Sequence, residues 1–270
     1  MSVVKYFTSK SKHLLGKLLR QQHYNFDPDV QDIVADIRES GFYMLPNFYS
    51  KEYCQKLIDE VDKVIDIRTK SKSLWEDSFS SDKRCFAAED DSEVISEFYN
   101  NKYLQSVADN FFRAKMSCSN TLAGRIQFME GNIGSGQGWH RDGNHLGFKA
   151  MVYLTDVEIQ DGPFQLLIGS HKIKSILKNI NINKYDGVKL RFDNQEVSAL
   201  IHSEVNQIKT FTAKAGTVIL FDTSTLHSGS PLREGGLRYA LTNYYCASYD
   251  DVAARKEMYR NAYKKQRSIK

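Results

Sequence analysis

Beyond Leu122 the chain breaks into short strand-like runs separated by turns of Gly, Asn, Asp and Ser, and this pattern limits its folds more than any other feature. The runs cover 122–129, 148–154, 164–168, 209–211, 217–221 and 238–246. Helical patterns precede them. Asp27-Pro28 opens one that carries Val30, Ile33, Val34 and Ile37 and stops near Gly41. A short aromatic and apolar strand, Phe42-Tyr43-Met44-Leu45-Pro46, follows, and Ser50 is a predicted N-cap for a helix burying Leu57, Ile58, Val61, Val64 and Ile65. Residues 71–91 read as a polar loop, and helical signals return over 94–112. Helices first, then many closely spaced strands, predict an α+β chain: a jelly roll or barrel with the helices packed outside.

The boundaries follow from these patterns. A basic segment, 1–26, carries Lys5, Lys10, Lys12, Lys17 and Arg20 without an acidic residue. Leu14, Leu15, Leu18 and Leu19 would share one helical face there, and the favoured reading is a helix packed on the domain; a membrane-surface or partner-binding helix is the alternative. A single domain spans 27–250, helical over 27–115 with its strand core over 120–250, and 251–270 is a helical tail. Within the core, 173–208 is rich in Lys, Asn and Asp and interrupts the strands, as either a lid over a barrel mouth or a surface insertion.

Composition excludes several classes. At 270 residues, with 41% hydrophobic and 26% charged, the chain can bury a sizeable core without disulfides. No apolar run reaches the roughly 20 residues that span a bilayer. The formal charge of +4 is too small to argue for nucleic acid, though it suits an anionic ligand. Cys54, Cys85, Cys118 and Cys246 form no C-x-x-C pair, which excludes zinc-ribbon and thioredoxin-like readings and makes a reducing, cytoplasmic setting the default.

The chemistry centres on Gly138-Trp139-His140-Arg141-Asp142-Gly143. In an extended segment residues two apart share a side, so His140 and Asp142 can face one metal, with Arg141 turned away toward the surface or a substrate rim. His-x-Asp alone is a weak signal and needs companions. His227 supplies one: it follows the apolar strand 217–221 and precedes a turn of small residues. Two histidines and one carboxylate leave open positions on iron for a co-substrate and oxygen. Arg238 begins the next strand, where alternation puts Arg238, Ala240 and Thr242 on one face, and its guanidinium can grip a carboxylate with both arms. The first lysine after His227 is Lys256, which excludes a Lys in that role on spacing.

With these residues the chain resembles the phytanoyl-CoA dioxygenase family. Ser40-Gly41-Phe42-Tyr43-Met44-Leu45-Pro46-Asn47 is similar to the family's N-terminal strand, His140-Arg141-Asp142 to its first metal ligands, Asp161-Gly162-Pro163 through Gly169-Ser170-His171 to its Asn-Gly-Pro…Gly-Ser-His segment, and His227 with Arg238 to its distal His and co-substrate Arg. The resemblance runs from about Val30 to Cys246. It implies a double-stranded β-helix, of the jelly-roll or cupin-like kind, and an enzyme using Fe(II), 2-oxoglutarate and O₂ to hydroxylate a C–H of a small molecule, releasing succinate and CO₂. His140, Asp142 and His227 are then the iron ligands; Arg238, Gln127 and Thr242 contact the co-substrate. Gly229 stands where some members carry a co-substrate-binding Ser. Because Asp142 is present, hydroxylation is favoured over halogenation, which leaves that position to a small residue. Two other readings share the pattern: a non-catalytic jelly-roll binding protein that has kept the ligands, and a nucleic-acid dealkylase.

Overall fold

The computed structural model describes residues 3–5, 7–8, 11, 23–143, 147–185, 188–204, 207–247 and 251–264. The basic helix expected over 1–26 lies largely outside this set, as does 265–270 of the tail.

A 3₁₀ turn, Pro28–Val30, leads into α1 (Gln31–Ser40), which buries Ile33, Val34 and Ile37. Gly41 ends it at φ +98°, its N–H returning to the Ile37 carbonyl at 2.8 Å. A Cβ at Gly41 would lie 2.7 Å from Thr225 Oγ1, so both the left-handed turn and the close approach require glycine. After β1 (Phe42–Leu45), Ser50 caps α2 (Lys51–Lys70) by accepting the Tyr53 N–H at 3.2 Å. The stretch 71–91 is not all loop: it holds β2 (Trp75–Glu76) and β3 (Asp82–Cys85). Periodicity hides β3 because its inward pair, Asp82 and Arg84, is charged and satisfied by mutual hydrogen bonds instead of being apolar. The helical signal over 94–112 resolves into α3 (Glu93–Tyr99) and α4 (Lys102–Phe112), broken where Asn101 accepts the Leu104 N–H as a new cap.

The strand half follows: β4 (Met116–Gln127), β5 (Phe148–Tyr153), β6 (Phe164–Leu167), α5 (Ile173–Asn183), α6 (Asn194–Glu204), β7 (Ile208–Thr210), β8 (Val218–Asp222), β9 (His227–Gly229), β10 (Leu237–Ala247) and α7 (Val252–Arg260). Two antiparallel sheets result, ordered β1-β8-β5-β10-β4-β3-β2 and β7-β6-β9. This is the jelly roll the strand pattern predicts.

Alternation on the larger sheet assigns each side chain to one of two cores. Phe148, Ala150, Val152, Val218, Leu220 and Leu241 pack outward against α1 to α4. Met151, Tyr153, Ile219 and Phe221 point inward, where they meet Phe164, Leu166 and Phe211 of the smaller sheet. Each fully buried side chain of this kind stabilises by roughly 2 kcal/mol. A one-residue slip would exchange the two faces and carry Lys149 into the apolar helix core, which fixes the register.

The 173–208 stretch docks on the smaller sheet. Ile176, Ile180, Phe192, Val197 and Leu200 form a core with Trp139, Leu167 and Leu226. Residues 190–192 pair with the histidine-bearing segment: the Arg141 N–H donates to the Leu190 carbonyl at 2.8 Å and the Phe192 N–H to the Trp139 carbonyl at 2.9 Å.

Candidate metal centre and its cavities

His140 and His227 lie on neighbouring segments joined by an antiparallel bridge. Asp142 is tied to the same partner segment by its N–H, which donates to the Thr223 carbonyl at 3.0 Å. The turn between Thr223 and His227 is shaped by Asp222, a buried carboxylate that accepts the Ser224 N–H and Ser224 hydroxyl, both at 2.8 Å. Burial pushes the Asp222 carboxyl above its ordinary range. Its proximity to His227 in sequence thus has a use: it orders the turn that positions that histidine.

One donor atom from each of His140, Asp142 and His227 falls within 4.8 Å of the others. Asp142 Oδ1 is 3.8 Å from His140 Nε2 and 3.9 Å from His227 Nε2. Each ring's Nδ1–H donates to a carbonyl two residues before it, Gly138 for His140 at 2.9 Å and Thr225 for His227 at 2.8 Å. That leaves both Nε2 lone pairs directed at the carboxylate. Burial, helped by the neighbouring imidazole, lowers His227 to about 3, and burial also lowers His140. Burial works to raise Asp142, but Lys149 and the two imidazoles outweigh it and hold the carboxyl at about 2. Two neutral nitrogens and one charged oxygen on a common side are a donor set that fits a divalent first-row metal with open positions left over.

Two cavities meet at this point. The smaller, about 100 Å³, runs between the sheets past Met151, Phe164 and Phe221 and contains Arg238 and Thr242. Arg238 is buried, and its Nη1 donates to the Gly162 carbonyl while its Nε has no hydrogen-bond partner. A buried cationic N–H left without an acceptor marks where an anion fits. Gln127 is not there. Leu122, Gly124 and Ile126 are the β4 residues lining the cavity, so alternation turns Gln127, at the end of the strand, out to solvent. Ser135 lines the cavity instead, packed so closely on Gly229 that a Cβ there would lie 2.8 Å from Ser135 Cβ.

The larger cavity, about 750 Å³, opens on the other side of His140 and Asp142. Trp75, Tyr244 and Tyr259 give it aromatic walls, and Arg191 brings positive charge, while Arg84 and Lys149 are ion-paired with Asp82 and Asp142. Asp142 is its one carboxylate among the described residues. Arg191 donates to the Gly136 and Gln137 carbonyls at 2.9 and 3.3 Å. Helix α7 closes one side. Tyr259 stacks on Phe86 at 6.2 Å and meets Tyr244 edge-on at 5.3 Å, while Arg260 Nε donates to Asp90 Oδ2 at 2.8 Å.

Other expectations resolve plainly. Arg141 is neither at the surface nor at a rim; it is 1% exposed and donates to the Ser170 and Ser224 carbonyls at 2.8 and 2.6 Å. Alternation does turn it away from His140, but that side faces the smaller sheet's loops and not water. His171 is structural, its Nε2 set 3.0 Å from the Arg38 carbonyl. Trp139 fills the core of the 173–208 stretch. His145 lies outside the described residues. Lys149, Arg84, Ser135, Arg191 and Tyr259 were not identified from sequence, because each becomes significant only through a neighbour distant along the chain.

The phytanoyl-CoA dioxygenase (PhyH) family model matches residues 37–240. Among characterised proteins, the ectoine dioxygenase of Bordetella parapertussis is 24% identical over 215 residues, covering 74% of this chain and 69% of that one. The ectoine dioxygenase of Halomonas elongata is 25% identical over 209 residues, covering 70% and 61%. Among solved structures, the epimerase SnoN in complex with Fe3+, alpha ketoglutarate and nogalamycin RO superposes with a TM-score of 0.64 at 14% identity, over 82% of this chain and 85% of that one. EctD from S. alaskensis with 2-oxoglutarate and 5-hydroxyectoine gives 0.62 at 17% identity, over 84% and 79%.

Proposed function

The chain belongs to the phytanoyl-CoA dioxygenase family, and we propose that His140, Asp142 and His227 hold its iron while Arg238, Thr242 and Ser135 receive its co-substrate. The protein is a non-haem iron, 2-oxoglutarate-dependent dioxygenase acting on a small molecule. The convergence of Asp142 Oδ1 and the two Nε2 atoms carries the metal assignment.

Iron(II) and 2-oxoglutarate, when bound, supply the oxidising chemistry: O₂ and the keto acid yield succinate and CO₂, and one oxygen atom enters a C–H bond of the substrate. The chain's residues prepare the place for it. Arg238, lining the narrow cavity with its guanidinium carbon 5.9 Å from the Tyr153 ring centroid, would neutralise the distal carboxylate, its unpartnered Nε being available to donate to one of the oxygens. Thr242 stands on the same face of β10, and Ser135 offers a hydroxyl where Gly229 has none. Met151, Phe164 and Phe221 exclude water from that cavity, which strengthens the Arg238 contact. The wide chamber receives the substrate on the opposite side of the metal ligands.

Chamber size supports a small molecule over a polymer. Its aromatic walls and the guanidinium of Arg191, with Arg84 and Lys149 already paired with Asp82 and Asp142, favour a substrate with a carboxylate or phosphate group. The ectoine dioxygenases are relatives by sequence, and ectoine is a reasonable first compound to assay. The described helices include none long and apolar enough to cross a membrane. All four cysteines are buried and free, which supports a reducing compartment, and we place the enzyme in the cytoplasm on that ground.

Anaerobic titration of the apoprotein with Fe(II) and 2-oxoglutarate tests the assignment through the visible charge-transfer band of the chelate. The band is expected in the wild type and absent in His140→Ala, Asp142→Ala and His227→Ala. Undiminished bands in these variants would refute the ligand set.

A further inference from the structure

Lys149 sits where no part of the reading above requires a lysine. It is the second residue of β5, between Phe148 and Ala150, which face the helical core. Alternation turns its side chain inward, to the junction of the two cavities. The residue is only 9% exposed, and its Nζ is 2.5 Å from Asp142 Oδ2. A second restraint comes from the paired strand: Tyr244 is the register partner of Lys149, and Nζ lies 4.0 Å from the centre of its ring.

The two oxygens of Asp142 therefore have different surroundings. Oδ1 faces His140 Nε2 and His227 Nε2 at 3.8 and 3.9 Å, and Oδ2 faces the ammonium. We propose that Lys149 sets the denticity of Asp142: by holding Oδ2 it leaves Oδ1 alone to bind the metal. This rests on the iron reading of His140, Asp142 and His227.

The consequence is a matter of available positions. Carboxylates bind metals through one oxygen or both. A facial set of two imidazoles and one carboxylate oxygen leaves room for a chelating keto acid and for O₂. A chelating Asp142 would take the position meant for O₂. Lys149 is a positioning residue in this account, acting on the metal through Asp142, and it is the one Lys or Arg ion-paired with Asp142 among the described residues.

Nitric oxide, which occupies the O₂ position of ferrous sites, reads that position without turnover. The full-length protein is loaded anaerobically with Fe(II) and 2-oxoglutarate, exposed to nitric oxide, and examined by electron paramagnetic resonance, with iron content measured alongside. Lys149→Met, similar in length but without charge or N–H, is expected to keep its iron yet lose about tenfold in nitrosyl signal. Lys149→Arg, which still donates to Oδ2, is expected to restore it. Lys149→Leu serves the same purpose should the Met variant not fold. A wild-type-sized nitrosyl signal in an iron-loaded Met or Leu variant would overturn the proposal. Failure of the wild type itself to bind iron would instead refute the underlying metal site.

Discussion

His140 and His227 exchange backbone hydrogen bonds across one antiparallel bridge, each N–H donating to the other's carbonyl at 2.9 Å, and their ring centroids stand 4.3 Å apart. Two candidate ligands distant in sequence are thereby locked by the hydrogen bonds of one bridge beside β9. Neither ring depends on a flexible loop for its distance to the other, and Asp142 reaches them from a segment anchored at Thr223.

Arg238→Lys is expected to weaken 2-oxoglutarate binding by about 10- to 100-fold, because one ammonium replaces a planar fork of donors in a buried cavity. Iron content should not change, since Arg238 touches none of the three ligands. Separate titrations of iron and 2-oxoglutarate check both statements, and an unchanged affinity for the keto acid would remove Arg238 from its role.

Gly136 stands at φ +80°, and a Cβ there would lie 2.5 Å from His140 Cε1. Gly136→Ala must therefore move either the loop or the ring. The backbone strain alone costs about 1 kcal/mol, and displacement of the ligand should lower iron affinity by about tenfold. Isothermal titration with a divalent metal reads this directly, and Gly235→Ala is the control, because Gly235 stands at a similar φ of +78° with nothing within 4 Å of its added Cβ.

Tyr259→Ala removes a wall of the wide chamber without touching the narrow one. With the substrate in hand, KM for it should rise about tenfold while the affinity for 2-oxoglutarate stays at the wild-type value. A change in the keto-acid affinity instead would mean that the two cavities are not divided between substrate and co-substrate as proposed.

Acid should destabilise the metal-free protein through His227. Burial lowers its folded value from 6.5 to about 3, so below pH 6.5 the unfolded chain takes up a proton that the folded chain refuses. Stability from this group is thus complete above 6.5 and falls on acidification, by about 1.4 kcal/mol per pH unit while the difference is one proton. Asp222, raised by burial, works in the opposite sense. The decisive measurement is therefore the difference between wild type and His227→Gln in urea denaturation at pH 6.5 and 4.5; the Gln variant should show the shallower loss.

Much of the candidate site was legible because its signals are local. His140-x-Asp142, the apolar strand before His227 and the alternation of Arg238 and Thr242 each fit within one short stretch of chain. Gln127, placed at the co-substrate by resemblance, lies on the other face of β4: the period puts alternate residues on opposite faces but does not say which face is inside, and the apolar Ile126 took the cavity. At 71–91 a charged strand passed for loop, because Asp82 and Arg84 neutralise each other only once β3 is paired with β4.

The sequence by itself determined the order of helices before strands and singled out the candidate ligands His140, Asp142 and His227 with Arg238 behind them, since periodicity and short motifs depend on neighbours along the chain. Only the tertiary structure decided which oxygen of Asp142 faces the imidazoles, that Lys149 holds the other, that Arg141 is buried and Gln127 exposed, and that Arg191 and Tyr259 wall the chamber. Those facts are set by strand register and by packing between segments far apart in sequence, and no local pattern encodes them.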